Sequence, residues 1–311
     1  MSGRIFHDTL TKAKKRKCTF SFYEYNIIAN KSHAKMTKTE ETPLHFFDIF
    51  STLPGTSKSW SSNVLKIRMV LNYKGIPYTQ SFHSYPDIAP LLQSLSVPPH
   101  KQGRFKYTLP AICHPSSVKS SPSGAMMDSL PIACHLDETY PDPPLFPSGE
   151  ASYTLALAIG KLMVPAALKT CDLLLPKAED VLDDRGKEYF VRTRTEIFGK
   201  PLSELRPKTE EGVRALVDGM KTDMDVFIQM LRGRGEGKKS GPFLEGEKVG
   251  YADFILMTFL SWSHRFDMEL WREIMDMGNG EFRALWDASV QWLEGQGEER
   301  EWAVPQEITV N

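Results

Sequence analysis

Four prolines and a glycine crowd the ten residues PDPPLFPSGE, 141–150, and the chain changes character there. Proline fixes φ and lacks an N–H, so a run this dense neither continues a helix nor joins a sheet interior; it reads as a stiff linker. Upstream, strand-like and helix-like segments alternate. HFFDIF (45–50) is a short aromatic run that predicts a buried strand, and STLPGTSKSWSS (51–62) is loop. Val64, Ile67 and Leu71 then recur at helical spacing until Gly75 and Pro77 end the helix. IPYTQSF (76–82), YTLPAICHP (107–115) and AMM (125–127) predict further strands, with a short helix in YPDIAPLLQSL and another over 128–140, Ser129 its expected N-cap. Downstream, helical patterns cover 152–175, 178–197, 208–232, 250–265 and 279–295, with GRGEGKKSG (233–241) as a surface loop. A small α/β unit followed by an all-α unit is the architecture this order predicts.

Charge and cysteine usage narrow the function classes. Residues 1–39 carry nine Lys/Arg against Asp8 and Glu24, leaving the rest of the chain at a net charge of −8. A body that acidic is a poor partner for nucleic acid. The basic arm, with AKKRK at 13–17, is expected to be a disordered extension over 1–42, and Met36 would make a natural start. No apolar run approaches the roughly 20 residues that span a bilayer, so no membrane association is expected. The four cysteines are scattered without a CxxC pair, which argues for a reducing compartment and against a disulfide framework. No histidine pair has ligand spacing, and no metal site is expected.

The chemistry-bearing stretch is SWSSNVLKIR (59–68). Ser61 and Ser62 stand where loop becomes helix, with no histidine near enough in sequence to act as a base. Taken locally, serines there cap the helix. Leu109-Pro110, before the third strand, reads either as an edge-strand start or as a cis-proline turn that leaves the Leu109 backbone free to pair with an extended peptide. Asp128-Ser129 opens the next helix, and is either a cap or a place for an α-amino acid end, serine meeting a carboxylate and Asp an ammonium.

These motifs in this order, together with Gly250-Tyr251-Ala252-Asp253 at the start of a strongly apolar helix, resemble the soluble glutathione transferases. Trp60-Ser61-Ser62-Asn63, LNYKGIPY (71–78), YPD (85–87) and YFVRTRTEIFGKPLSEL (189–205) are similar to the fungal branch related to bacterial β-etherases. The likeness covers about residues 45–300. It departs at Ser62, where that branch has proline, and at Gly250, where the capping box has Ser or Thr.

The resemblance implies a thioredoxin-like domain over 43–141, a linker at 142–150, a helical domain over 151–300 and a tail at 301–311. It implies glutathione as co-substrate, with Leu109, Pro110, Asp128 and Ser129 binding it, and a cytoplasmic homodimer. Ser61, with Ser62 as alternate, would hold the thiolate. A free thiol has a pKa of about 8.5. A hydroxyl donating to the sulfur plus a helix N-terminus worth roughly 0.3–1 kcal/mol, or about 2 when partly buried, would lower that by one or two units. For the glycyl carboxylate, Lys106 and Arg104 are the candidates; for the wall facing a hydrophobic electrophile, Tyr153, Met163 and Trp262. The expected reaction is conjugation to an apolar aromatic electrophile or displacement of an ether or thioether from one, in detoxification or fungal secondary metabolism. The alternative is a non-catalytic ligand carrier of the same fold.

Overall fold

The computed structural model describes residues 43–235, 239–295 and 297–305. The expected basic extension 1–42 lies outside them, as do 236–238 of the glycine-rich loop and 306–311 of the tail.

Strand β1 (Leu44–Ile49) is buried along its whole length and forms the centre of a mixed sheet. It pairs in parallel with β2 (Tyr78–His83) and antiparallel with β3 (Ala111–Cys113), which pairs antiparallel with β4 (Ala125–Met127). The parallel pairing needs a crossover, supplied by α1 (Ser62–Tyr73). That helix ends as its sequence predicts, Gly75 taking φ 63° just beyond the last turn. Helix α2 (Ile88–Ser94) and helix α3 (Ser129–Thr139) complete the unit. Ser129 is the first residue of α3 and not its cap; Asp128 occupies the N-cap position. A thioredoxin-like sheet and helix set is thus established for the first half of the chain.

The second half is helical: α4 (Glu150–Leu162), α5 (Val164–Ala178), α6 (Asp184–Phe198), α7 (Glu210–Arg232), α8 (Tyr251–Phe266), α9 (Met268–Met275) and α10 (Glu281–Glu294). The segment predicted as one helix over 152–175 is two, turned by 47° at Met163. Pro165, in the first turn of α5, is the local cause, because a proline there favours a helix start over continuation. Helix α8 is the buried centre, with every residue from Tyr251 to Ser263 inside. Its start is held by Asp253, which accepts the backbone N–H of Gly250 and of Leu244, both at 2.8 Å. No single described helix is long and apolar enough to cross a membrane.

The two halves are joined by polar clamps as well as apolar packing. Lys74 Nζ donates to Asp137 at 2.6 Å and to the carbonyls of Tyr140 and Pro143 at 2.7 and 2.8 Å, fixing the entry to the linker. Asn72 Nδ2 donates to the carbonyls of Trp292 and Gly295 at the end of α10. The chain then returns to the sheet: β5 (Glu298–Glu299) pairs with β2, and Trp302 lies 4.5 Å from the His45 ring.

Candidate active site

Strand register brings three distant loops to one end of the sheet. Phe47 faces Ala111 and Ala111 faces Met127, so the exit of β1, the entry of β3 and the exit of β4 are neighbours. The first leads to the Trp60-Ser61 loop, the second carries Leu109-Pro110 and the third leads to Asp128-Ser129. All six expected site residues, Ser61, Ser62, Leu109, Pro110, Asp128 and Ser129, line one cleft of about 340 Å³.

The loop before α1 is pinned from below. Asp48 and Arg68 are both fully buried and bonded at 2.8 Å, and the same carboxylate accepts the N–H of Ile49 at 2.6 Å. Trp60, 3% exposed, packs against the rings of Tyr85, Phe190 and Phe266. Ser61 follows it with extended backbone (φ −70°, ψ 123°) at the N-cap of α1, yet its side chain makes no cap hydrogen bond. Its carbonyl accepts the N–H of Leu65 at 2.9 Å, so the N–H groups of the first turn remain available to an anion. Ser62 is the first helical residue.

Leu109-Pro110 is a cis peptide, and Pro110 accepts the N–H of Asp128 at 3.1 Å. Asp128 holds φ 83°, a left-handed value that a non-glycine residue adopts at a cost of about 1–3 kcal/mol. Burial pushes its carboxyl upward, while His100, the Ser129 N–H and Lys66 favour the charged form. Burial pushes the Lys66 ammonium down to about 8, opposed by Asp128, and Lys66 donates to Asn63 at 2.8 Å.

Helices α4, α5, α6 and α8 roof the cleft with Leu157, Met163, Val164, Phe198, Ile255, Phe259 and Trp262 among its walls. Of the expected wall residues Met163 and Trp262 are there, while Tyr153 packs on Phe146 instead, outside the cleft lining. Lys106 and Arg104 also fall outside it: both are exposed, Arg104 paired with Glu196 and Lys106 turned to the His100 carbonyl. Their neighbours Phe105, Tyr107 and Thr108 line the cleft, while Arg104 and Lys106 are exposed outside it. The cationic side chains of the cleft are Lys66 and Arg194. Helical phase marks Lys66 only as a neighbour of Asn63 one turn on, and nothing local marks Arg194 at all. Tyr251 was legible as a cap-motif residue but not as part of the wall; its hydroxyl is buried and pushed up in pKa by that burial, with Ser129 opposing the shift.

Thiol chemistry from Cys113 and Cys134 is disfavoured. Burial pushes Cys113 up and Cys134 up to about 12, keeping both as thiols near neutrality.

A thioredoxin-like sheet whose edge carries the N-terminus of α1, a cis-proline turn and an acid-serine pair, roofed by helices with apolar side chains, is the architecture of a two-domain glutathione transferase fold. The chain belongs to the glutathione S-transferase family. Its residues 58–144 match the family's N-terminal domain and 158–292 its C-terminal domain. Glutathione S-transferase-like protein ustS of Aspergillus flavus is 95% identical over 276 residues, which is 89% of this chain and all of that protein. Among solved structures, a glutathione S-transferase of Ceriporiopsis subvermispora in complex with glutathione is 28% identical with a TM-score of 0.72, covering 81% of this chain and 98% of that one. Glutathione transferase GSTFuA3 of Phanerochaete chrysosporium is 27% identical with a TM-score of 0.70, over the same shares of the two chains.

Proposed function

We propose that this protein activates glutathione through Ser61 and transfers it to an apolar electrophile. The observation that carries the reading is the Ser61 hydroxyl: it lines the cleft at the N-cap of α1 and is not spent on capping the helix. It is therefore free to donate to a sulfur placed at the helix N-terminus, where the helix dipole also favours an anion. Glutathione's γ-glutamyl end then meets Asp128 and Ser129, its peptide backbone meets Leu109, and its thiol proton leaves to solvent. The thiolate forms a C–S bond with the electrophile. In conjugate addition the C=C π bond breaks and its electron pair takes up a proton from solvent; in ether displacement the C–O bond breaks and the leaving oxygen carries the electron pair. Ser62 is the alternate donor, since it shares the cleft. Among the described residues, Cys113, Cys134 and Cys171 form no disulfide, which accords with work in the cytoplasm. A homodimer accompanies this reading as an expectation from the family resemblance, and light scattering on the purified chain tests it.

The deciding experiment titrates the absorbance of bound thiolate against pH in wild type, Ser61→Ala and Ser62→Ala. A bound-thiol pKa lowered by about one to two units, and returned toward free glutathione only in Ser61→Ala, is the expected outcome. Binding with an unshifted thiol in wild type would refute activation and move the protein to the ligand-carrier reading.

A further inference from the structure

Of the two cleft cations, Lys66 feels the Asp128 carboxylate, whereas Arg194 stands apart from it and is left unused by the glutathione chemistry above. It stands on α6, half-buried, with its guanidinium carbon 4.3 Å from the centre of the Phe190 ring, 4.9 Å from Tyr85 and 5.1 Å from Phe105. Three rings around one guanidinium hold its plane and strip its hydration without neutralising it. One hydrogen bond goes to the Thr193 hydroxyl at 2.9 Å. Of the other cations of this helix, Arg185 pairs with Asp87 and Lys187 with Asp180, while Arg192 lies over the Tyr189 ring. Arg194 has no carboxylate partner among the described residues.

The charged groups lining the cleft are Lys66, Asp128 and Arg194. The first two lie together beside α1 and α3, at the γ-glutamyl end. The remaining wall is mostly apolar, with Tyr85, Tyr107, Thr108, Tyr189 and Thr258 among its polar members. A largely apolar chamber with a caged guanidinium, and no acid lining that side, matches an apolar molecule that carries its own anion. Phe190 links this cation to the chemistry: its ring is 6.4 Å from that of Trp60, the residue before Ser61. An acid group on Arg194 thus lies within a small molecule's length of the sulfur position.

We propose that Arg194 is a specificity-determining residue that selects electrophiles bearing a carboxylate on an apolar body. The proposal rests on the transferase reading for its reaction but not for its binding step. Glutathione's glycyl carboxylate has the same chemistry as the acid proposed, so the test must separate the two.

The probes are benzalacetone carrying a para-carboxylate, its methyl ester, and the saturated, unreactive form of each. With the reactive pair, the thiolate adds to the alkene β-carbon and the enolate takes a proton from solvent, with no leaving group. Tryptophan fluorescence titrations give Kd for the saturated pair and for glutathione; conjugate absorbance gives kcat/KM. Wild type should prefer acid over ester, and Arg194→Met should shrink that preference about tenfold or more while glutathione Kd moves less than twofold. Arg194→Lys, which keeps charge without the planar stack, should retain part of the preference and guards against a folding artefact. The proposal fails if wild type shows no preference, or if Arg194→Met leaves it intact. It also fails if glutathione Kd rises and the acid-to-ester ratio does not change, which would assign Arg194 to the glycyl carboxylate. Selective acid binding without turnover would leave this assignment standing, the transferase reading being decided separately by the bound-thiol titration.

Discussion

Replacing Arg68 with methionine should be among the most damaging single changes outside the cleft. The guanidinium is fully buried, donating to Asp48 at 2.8 Å, Gln80 at 2.8 Å and Tyr78 at 3.2 Å, while its Nε finds no partner. Methionine fills most of the volume, so the loss is chiefly electrostatic: the Asp48 carboxylate stays buried without its cation. Breaking one side of a buried pair costs about 3–5 kcal/mol. For a chain of this size that lowers Tm by roughly 6–10 °C. Burial already pushes Asp48 upward in pKa, with Arg68 as the main opposing influence. Without Arg68 the carboxyl should take up a proton more readily, so the penalty should shrink as pH falls. Urea unfolding of wild type, Arg68→Met, Asp48→Asn and the double variant, near neutral and at mildly acidic pH, measures all of this. The double variant should recover most of the loss. A single-variant cost below about 1 kcal/mol, or an equal cost in the Asp48→Asn background, would show that the pair does not act as a unit and would refute the reasoning.

Two further outcomes follow from the same structure. His45 and His83 are buried and share Ser81, at 2.8 and 2.7 Å, and burial pushes both down to about 4. An unfolded histidine takes its proton near 6.5, so this stabilisation is complete above that pH and is lost as pH falls from 6.5 through 4. Urea midpoints should therefore drop between about pH 7 and pH 5, and a His45→Gln/His83→Gln double variant should flatten that slope; an unchanged slope would assign it elsewhere. Gly250→Ser should raise stability by a few tenths of a kcal/mol, to at most about 1, measured by thermal melting. The backbone there has φ −137°, an added Cβ meets only ordinary contacts at 3.4–3.5 Å, and a hydroxyl would complete the half-formed capping box. A lowered Tm would mean that the serine cannot reach the first-turn N–H.

What was legible in the chain was whatever depends on near neighbours. Val64, Ile67 and Leu71 marked α1, Gly75 its end and AMM the strand β4, because periodicity and turn chemistry report burial and backbone freedom over a few residues. The proline-dense linker separated the sheet half from the helical half for the same reason. Ser61, Leu109-Pro110 and Asp128-Ser129 were readable as a set only through their order along the chain. That they share one cleft was decided by the antiparallel register of β3 on β1 and β4 on β3, which no local pattern encodes. Arg194 shows the limit most clearly. On its own helix it looks like any exposed arginine, and its rings come from Tyr85, Phe105 and Phe190, residues up to about a hundred positions apart. Asp48 and Arg68 would likewise pass as surface charges until the packing of α1 on β1 removes both from water. Local sequence determined the elements and the reactive groups on offer; tertiary packing decided which became buried, paired or turned toward the cleft, because desolvation and charge pairing depend on distant segments meeting.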